Sequence, residues 1–285
     1  MASAHARSIA LLTAAALGGC IFGTRRAATP AADRSPRWTQ IAAPADGGVA
    51  LAPRGRCPTS ALPIPGGTFA MGSPAGQGSE DEHPQHPVTL RAYCLDRTEV
   101  TVDAYTACVR AGACTRPAAL PPAGDQPASG IDWQQAQAYC RFVGGRLPTE
   151  AEWEFAARGT DGRRWPWGSE EPSACSTLDW THGPESCGGV GPSAVGTHPA
   201  GASPFGVEDM AGNVWEWTAD WYARAYAPGA QVDPTGPAEG SARVTRGGGF
   251  NNDQPERLGA TYREGQHPAF HDYDLGVRCA FEPAS

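Results

Sequence analysis

Glycine and proline limit what this chain can fold into more than any other feature of its sequence. Among 285 residues there are 36 glycines and 27 prolines. Glycine weakens helices and strands, and proline lacks a backbone donor, so both residue types collect in turns and loops. This composition disfavours long helices and a regular β-sandwich. We therefore predict an α+β fold that is rich in loops.

Three short helices are nevertheless indicated by their N-terminal caps. Thr101, Asp132 and Thr149 each precede apolar residues at helical spacing, and their side chains can accept hydrogen bonds from the first free amides of a helix. Glu152 stands at capping-box spacing from Thr149. The second helix is expected to bury Trp133, Ala136, Cys140 and Val143. Short strands are predicted at 68–71, 88–95, 244–247 and 276–281.

The N-terminus has the features of a targeting signal. Arg7 precedes an apolar run at 9–17 that is too short to span a bilayer, for which about 20 apolar residues are needed. The run ends in Leu-Gly-Gly-Cys at 17–20, which resembles the bacterial lipobox, so Cys20 is expected to carry a lipid. The alternative is an ordinary secretory signal. We predict a signal peptide at 1–19, a flexible tether at 20–56, and a protein anchored in the bacterial cell envelope, at the outer membrane or in the periplasm.

Cysteine usage is consistent with export. Eight cysteines follow Cys20, namely Cys57, Cys94, Cys108, Cys114, Cys140, Cys175, Cys187 and Cys279. An even number in an exported chain indicates disulfides. Zinc binding is the alternative, but it requires closely paired Cys or Cys/His spacings, which this sequence lacks.

Charge excludes some functions. The formal net charge is −8, whereas nucleic-acid binding depends on clustered positive charge, so no nucleic-acid partner is expected. All 22 basic residues are arginine, which excludes a lysine Schiff base or a lysine general base.

Several ordered motifs resemble the sulfatase-modifying-factor family, the relatives of formylglycine-generating enzymes. They are Pro-Gly-Gly-Thr-Phe-Ala-Met-Gly at 65–72, Cys-Leu-Asp-Arg-Thr-Glu-Val-Thr at 94–101, Gly-Arg-Leu-Pro-Thr-Glu-Ala-Glu-Trp-Glu at 145–154, Trp-Pro-Trp-Gly at 165–168, Asp-Met-Ala-Gly-Asn-Val-Trp-Glu-Trp at 209–217, Arg-Gly-Gly-Gly at 246–249 and Gly-Val-Arg-Cys at 276–279. The resemblance covers about 57–281 and implies one domain at 57–285. It implies a loop-rich, C-type-lectin-like fold with disulfides and calcium.

Most of these motifs are interpreted as architecture. Arg146 and the acidic residues of the third helix are expected to form an ion-pair lattice; catalytic carboxylates are the alternative. The acidic residues are Glu150, Glu152 and Glu154. Trp215 and Trp217 alternate on one face of a strand and are expected to lie in the core, the alternative being a ligand platform.

One motif is expected to bind a metal. Asp209, Gly212, Val214 and Glu216 match calcium-binding positions of the family, two through carboxylates and two through backbone carbonyls. Oxygen ligands of mixed origin suit Ca²⁺, so structural calcium is the predicted cofactor. The alternative is that Asp209 and Glu216 cap turns.

The same resemblance divides the cysteines. Cys140 and Cys279 match a disulfide of the family that ties the second helix to the last strand. Cys108–Cys114 and Cys175–Cys187 are expected as local pairs, which leaves Cys57–Cys94.

A missing cysteine pair decides the functional prediction. Active formylglycine-generating enzymes carry two cysteines shortly after the Arg-Gly-Gly motif, where the thiolates bind Cu(I) and engage the substrate cysteine. The corresponding segment, from Phe250 to Arg257, reads Phe-Asn-Asn-Asp-Gln-Pro-Glu-Arg and contains no cysteine. The resemblance therefore predicts no catalytic residues here, and copper is not expected.

The favoured function is a non-catalytic module that binds an envelope protein or an extracellular ligand. The resemblance places an exposed surface at 250–274, beginning at Phe250, with Asn251, Asn252, Arg257, Arg263 and His267 as possible ligand-binding residues. The histidines and aspartates at 266–274 could hold a metal, although a solvated loop is favoured. The alternatives are an oxidase of the formylglycine-generating type and a structural envelope lipoprotein.

Overall fold

The computed structural model describes residues 56–117, 120–121, 124–172, 175–181 and 190–284. The predicted signal peptide at 1–19, the tether at 20–56 apart from Arg56, and residues Cys20 and Cys187 lie outside the described residues. Within the described part of the chain, no helix is both long and apolar enough to cross a membrane.

The described chain folds as short strands and three-turn helices joined by long loops. The strands and helices are β1 (Ala61–Ile64), β2 (Gly67–Met71), β3 (His86–Leu90), β4 (Tyr93–Asp96), α1 (Val102–Arg110), α2 (Trp133–Phe142), α3 (Glu150–Arg158), β5 (Trp215–Trp221), β6 (Gln231–Val232), β7 (Arg243–Arg246), β8 (Arg263–Gln266), β9 (Leu275–Gly276) and β10 (Ala280–Phe281). Short 3₁₀ turns lie at Glu80–Glu82, Pro199–Gly201 and Pro255–Leu258. The α+β, loop-rich prediction is confirmed.

Helix boundaries follow the predicted caps. Thr101, Asp132 and Thr149 accept hydrogen bonds from the amides three residues ahead, and Glu152 completes the capping box of α3. The predicted buried stripe of α2 is wrong at one position. Val143 is 38% exposed, because α2 ends at Phe142 and Val143 is its C-cap rather than part of a helical face.

The predicted strand at 88–95 is two strands that belong to different sheets. β1 pairs with β4, and β2 pairs with β3, both antiparallel. Pro65–Gly66 separates β1 from β2, and it lies opposite Arg91–Ala92, which separates β3 from β4. Gly66 has φ +69°, and a Cβ there would lie 2.6 Å from the carbonyl carbon of Arg91. Glycine at position 66 therefore allows the two backbone segments to approach closely at the point where each passes from one sheet to the other.

The four-stranded sheet, in the order β8-β7-β5-β9, positions the C-terminal loops. β5 runs antiparallel to β7 and parallel to β9, and β7 runs antiparallel to β8. Trp217 is fully buried and Trp215 is 7% exposed, so both tryptophans of β5 lie in the core as predicted. The loop that leaves β7 and the loop that leads into β9 meet the sheet at the same end, beside the start of β5, and both contribute to the candidate site.

Candidate functional site

A cleft of about 400 Å³ is lined by residues from all four strands of this sheet, from the loop at 249–257 and from the loop at 267–274. We call it the acidic cleft. Trp215, Phe270 and Leu275 supply apolar wall. Its polar lining comprises Thr245, Asn251, Asn252, Asp253, Arg257, Glu264, Gln266, Asp272 and Asp274. Most residues that line the acidic cleft therefore belong to the segment 250–274, in which the resemblance places the functional surface.

Hydrogen bonds hold the first loop of the cleft in place. The Asn252 side chain accepts a 2.8 Å hydrogen bond from the amide of Gly249, and its backbone carbonyl accepts one from the Trp180 indole at 2.6 Å. Gly248 has φ +73°, and a Cβ there would lie 2.8 Å from the carbonyl oxygen of Arg257. The Arg-Gly-Gly motif thus makes a tight turn that fixes the loop against its neighbours.

The predicted exposed surface begins with a buried residue. Phe250 is 3% exposed and does not line the cleft, so the expectation that the surface starts at Phe250 is wrong. Its ring meets the Tyr273 ring edge-on, with 5.8 Å between the ring centroids, and its backbone carbonyl accepts a 2.8 Å hydrogen bond from the Thr181 amide. Burial of a phenylalanine ring is favourable, so this side chain packs inward and anchors the loop. The cleft-lining part of the loop starts at the next residue, Asn251.

Negative charge dominates the cleft. The only described cationic side chain in its lining, Arg257, lies 3.2 Å from Glu264, which leaves three aspartates without a countercharge from that lining. Burial raises the pKa of Asp274 to about 6, and the negative charge of Asp272 adds to the increase. Above pH 6 the cleft is therefore suited to a cation.

The structure brings together some of the residues predicted for the ligand surface, but not all. Asn251, Asn252 and Arg257 line the cleft. Arg263 was predicted wrongly, because it is 4% exposed and donates two hydrogen bonds to Glu150, at 2.6 and 2.7 Å. His267 is exposed but does not line the cleft.

Sequence reasoning missed most of the acidic residues of the cleft. The sequence analysis includes Asp272 and Asp274 only as possible metal ligands, and it does not include Asp253 or Glu264. The signal that could have found them is the density of carboxylates between the predicted strands at 244–247 and 276–281. Among the described residues, no group of three His, Cys, Asp or Glu side chains is arranged to hold a metal ion.

The described cysteines form disulfides. The structure contains Cys57–Cys94, Cys108–Cys114 and Cys140–Cys279, which are the expected pairings. Cys175 is also disulfide-bonded, while its expected partner Cys187 lies outside the described residues. Every described cysteine is therefore engaged, and none lies in the cleft lining.

The predicted calcium ligands fit that role only in part. Glu216 is fully buried, and its two carboxylate oxygens accept hydrogen bonds from Arg278 at 2.6 and 2.7 Å and from the Trp153 indole at 2.7 Å. A guanidinium paired with both oxygens opposes a second cation at the same carboxylate. Asp209 is 7% exposed and accepts a 2.6 Å hydrogen bond from the Gly196 amide through one oxygen. The expected set of Asp209, Gly212, Val214 and Glu216 therefore does not fit calcium as a whole.

The third helix carries the predicted ion-pair lattice. Arg146 pairs with Glu152 at 2.6 Å, and Glu154 is buried between Arg158 and Arg246. Glu150, the remaining acidic residue, pairs with Arg263. Each glutamate is thus tied to arginines from other parts of the chain, which favours the architectural interpretation over catalytic carboxylates.

A family model supports the resemblance across almost all of the described chain. The model of the sulfatase-modifying factor enzyme 1-like domain matches residues 49–283. The chain belongs to the sulfatase-modifying-factor family.

Known members of this family differ in activity. The chain is 32% identical to a formylglycine-generating enzyme of Streptomyces coelicolor, over 84% of this chain and 94% of the relative. It is 30% identical to a hercynine oxygenase of Mycolicibacterium smegmatis, over 79% of this chain and 61% of the relative. The solved structure of PvdO from Pseudomonas aeruginosa superposes with a TM-score of 0.68 at 27% identity, covering 78% of this chain and 94% of that one. Membership of the sulfatase-modifying-factor family therefore shows the fold. It does not identify the activity, which has to be inferred from the residues of the site.

Proposed function

We propose that this protein is a non-catalytic binding module of the sulfatase-modifying-factor family, displayed at the bacterial cell envelope through a lipid on Cys20. The observation that carries the proposal is the content of the acidic cleft. Carboxylates and amides stand where the resemblance expects a pair of thiolates, and every described cysteine is held in a disulfide. A soft Cu(I) ion requires thiolate ligands, and the described cleft has none.

The chemistry of the cleft favours a cationic ligand. Asp253, Asp272 and Asp274 supply negative charge, and Phe270, which is 39% exposed, supplies aromatic surface. Ammonium and guanidinium groups are attracted both by carboxylates and by aromatic faces. We therefore propose that the cleft receives lysine or arginine side chains of an envelope protein or of an extracellular polypeptide.

A charge-matched pair of variants tests this binding. Changing Asp272→Asn and Asp274→Asn together should weaken binding of a tetra-arginine peptide by about tenfold or more, which corresponds to about 1.4 kcal/mol. Glu170→Gln with Glu239→Gln removes the same charge from exposed positions outside the cleft and should leave binding nearly unchanged. Isothermal titration calorimetry measures both effects, with tetra-glutamate as the negative control peptide.

The same titration carries a pH signature. Because the pKa of Asp274 is raised to about 6, its carboxylate is charged at pH 7.5 and protonated at pH 5. Wild-type affinity should therefore fall as the pH drops through 6, and the cleft variant should lose most of that dependence. If the cleft variant and the surface variant lose affinity for the peptide equally, net charge alone would explain the effect. That result would contradict the proposal.

A further inference from the structure

A second pocket, which we call the Asp220 pocket, lies between the end of β5, the start of α3 and the loop at 223–237. Its volume is about 410 Å³, and it shares no lining residue with the acidic cleft. Most of its lining residues are apolar, among them Met71, Trp221 and Tyr226. A pocket of this size, with an apolar lining and a few polar groups, is typical of sites that bind small organic molecules.

Asp220 has one carboxylate oxygen without a partner in this pocket. The residue is 3% exposed, and its Oδ2 accepts a 2.7 Å hydrogen bond from the Glu150 amide at the start of α3. Its Oδ1 has no hydrogen-bond partner among the described residues. Gly236 leaves space at this oxygen, since a Cβ there would lie 2.9 Å from Oδ1. A buried carboxylate oxygen without a donor is unfavourable, so Oδ1 requires a donor from outside the described side chains.

The other charged residues that line the pocket are already paired. Glu150 accepts hydrogen bonds from Arg263 at 2.6 and 2.7 Å and from the Tyr226 hydroxyl at 3.1 Å. Arg263 also donates to the backbone carbonyls at 81 and 223. Because these contacts hold the guanidinium against Glu150, it does not serve as the donor to Asp220.

The surroundings of Asp220 favour a proton or a cation at its free oxygen. Burial raises the pKa of Asp220 to about 8, and the negative charges of Glu150 and Glu152 add to the increase, while Arg263 opposes it. The other titratable or charged groups close to Asp220 are His86, Tyr226 and Arg243. An ammonium ion can replace the proton, because it brings both a positive charge and N–H donors.

We propose that the Asp220 pocket binds a small organic ammonium ion, whose N–H groups donate to the free carboxylate oxygen of Asp220 and whose hydrocarbon part contacts the apolar lining. The two kinds of group in the lining match the two parts of such a ligand. The Asp220 pocket is separate from the acidic cleft, so this binding does not depend on the function proposed above.

Cyclohexylamine is a suitable probe, because its nitrogen is an ammonium ion throughout the pH range of the test and its ring is apolar. Binding is measured by isothermal titration calorimetry on the whole protein carrying Asp272→Asn and Asp274→Asn, so that the charge of the acidic cleft contributes little. At pH 8 the additional change Asp220→Asn should weaken binding by about tenfold or more. Asparagine keeps an oxygen that can accept the hydrogen bond from the Glu150 amide, so the start of α3 should stay intact.

The pH dependence of this binding has a defined sign. Between pH 6 and pH 8 the charged fraction of Asp220 rises from about 1% to about half. Because the ammonium ion replaces a proton, affinity for cyclohexylamine should rise by about tenfold or more over this interval, and Asp220→Asn should lose most of the rise. Cyclohexanol has the same ring without the charge and should bind weakly at both pH values. A ligand that accepted a hydrogen bond from protonated Asp220 would show the opposite pH dependence.

A pair of leucine variants tests the place of binding without changing Asp220. Ala225→Leu with Ala227→Leu narrows the pocket at two exposed lining positions and should weaken binding several-fold. Ala230→Leu with Ala238→Leu adds the same side chains at exposed positions outside the lining and should leave binding unchanged. Equal binding by the two leucine variants, full affinity of Asp220→Asn at pH 8, or an affinity that falls as the pH rises would each overturn the inference.

Discussion

Replacing Glu154 by alanine should lower the free energy of unfolding by about 3–5 kcal/mol. Glu154 is fully buried on α3 and accepts hydrogen bonds from the Arg158 guanidinium at 2.9 Å, from the Gly72 amide at 2.8 Å and from Arg246. Arg158 and Arg246 are themselves 1% and 0% exposed. Loss of the carboxylate would remove a negative charge that pairs with two buried guanidinium groups. A buried charge that loses its partner is strongly destabilising.

A surface ion pair provides the control for this prediction. Glu171 lies 3.0 Å from Arg164, but its side chain is 66% exposed. Exposed pairs contribute about 0–1 kcal/mol, so Glu171→Ala should be almost neutral. Urea unfolding monitored by tryptophan fluorescence gives both values. If Glu154→Ala destabilises the protein no more than Glu171→Ala does, the lattice on α3 has no architectural role.

Removing the Cys140–Cys279 disulfide should lower the free energy of unfolding by about 5 kcal/mol in the chain-entropy model. This disulfide joins α2 to the segment before β10 across a sequence separation of 139. A crosslink restricts the unfolded chain more when it closes a longer loop. The change is Cys140→Ser with Cys279→Ser, measured by urea unfolding under non-reducing conditions.

The short disulfide Cys108–Cys114 is the matched control. It closes a separation of only 6 residues, for which the same model predicts about 2 kcal/mol. Cys108 and Cys140 are both fully buried, so the two serine pairs introduce comparable buried hydroxyls on that side. Equal destabilisation by the two double variants would contradict the loop-length explanation.

Local chemistry explains what the sequence could predict about the fold. A cap such as Thr149 with Glu152 is satisfied within a few residues, so α3 can be located from the sequence alone. The break between β3 and β4 could not be located in this way, because it depends on the approach of Gly66 to Arg91 across the ladder. The hydrophobic pattern of one strand does not show which part of the backbone packs against it.

Long-range pairing explains what the sequence could not predict about the site. Arg263 was assigned to the ligand surface because it follows the Arg-Gly-Gly motif, but its partner Glu150 lies 113 residues away on α3. Phe250 was placed on the same surface, although its ring packs against Tyr273 from the other loop. These outcomes depend on which loops and strands the fold brings together, and short motifs do not encode that information.

The proposed function predicts that this protein does not oxidise cysteine to formylglycine, and one assay tests that prediction directly. The purified protein, supplied with Cu(I) and oxygen, is incubated with a sulfatase-type cysteine peptide, and mass spectrometry follows conversion of cysteine to formylglycine. The formylglycine-generating enzyme of Streptomyces coelicolor, to which this chain is 32% identical, serves as the positive control. We predict no conversion by this protein under conditions in which the control converts the peptide. Conversion that grows with time and depends on copper would contradict the proposed function, and would require a thiol pair from one of the assigned disulfides.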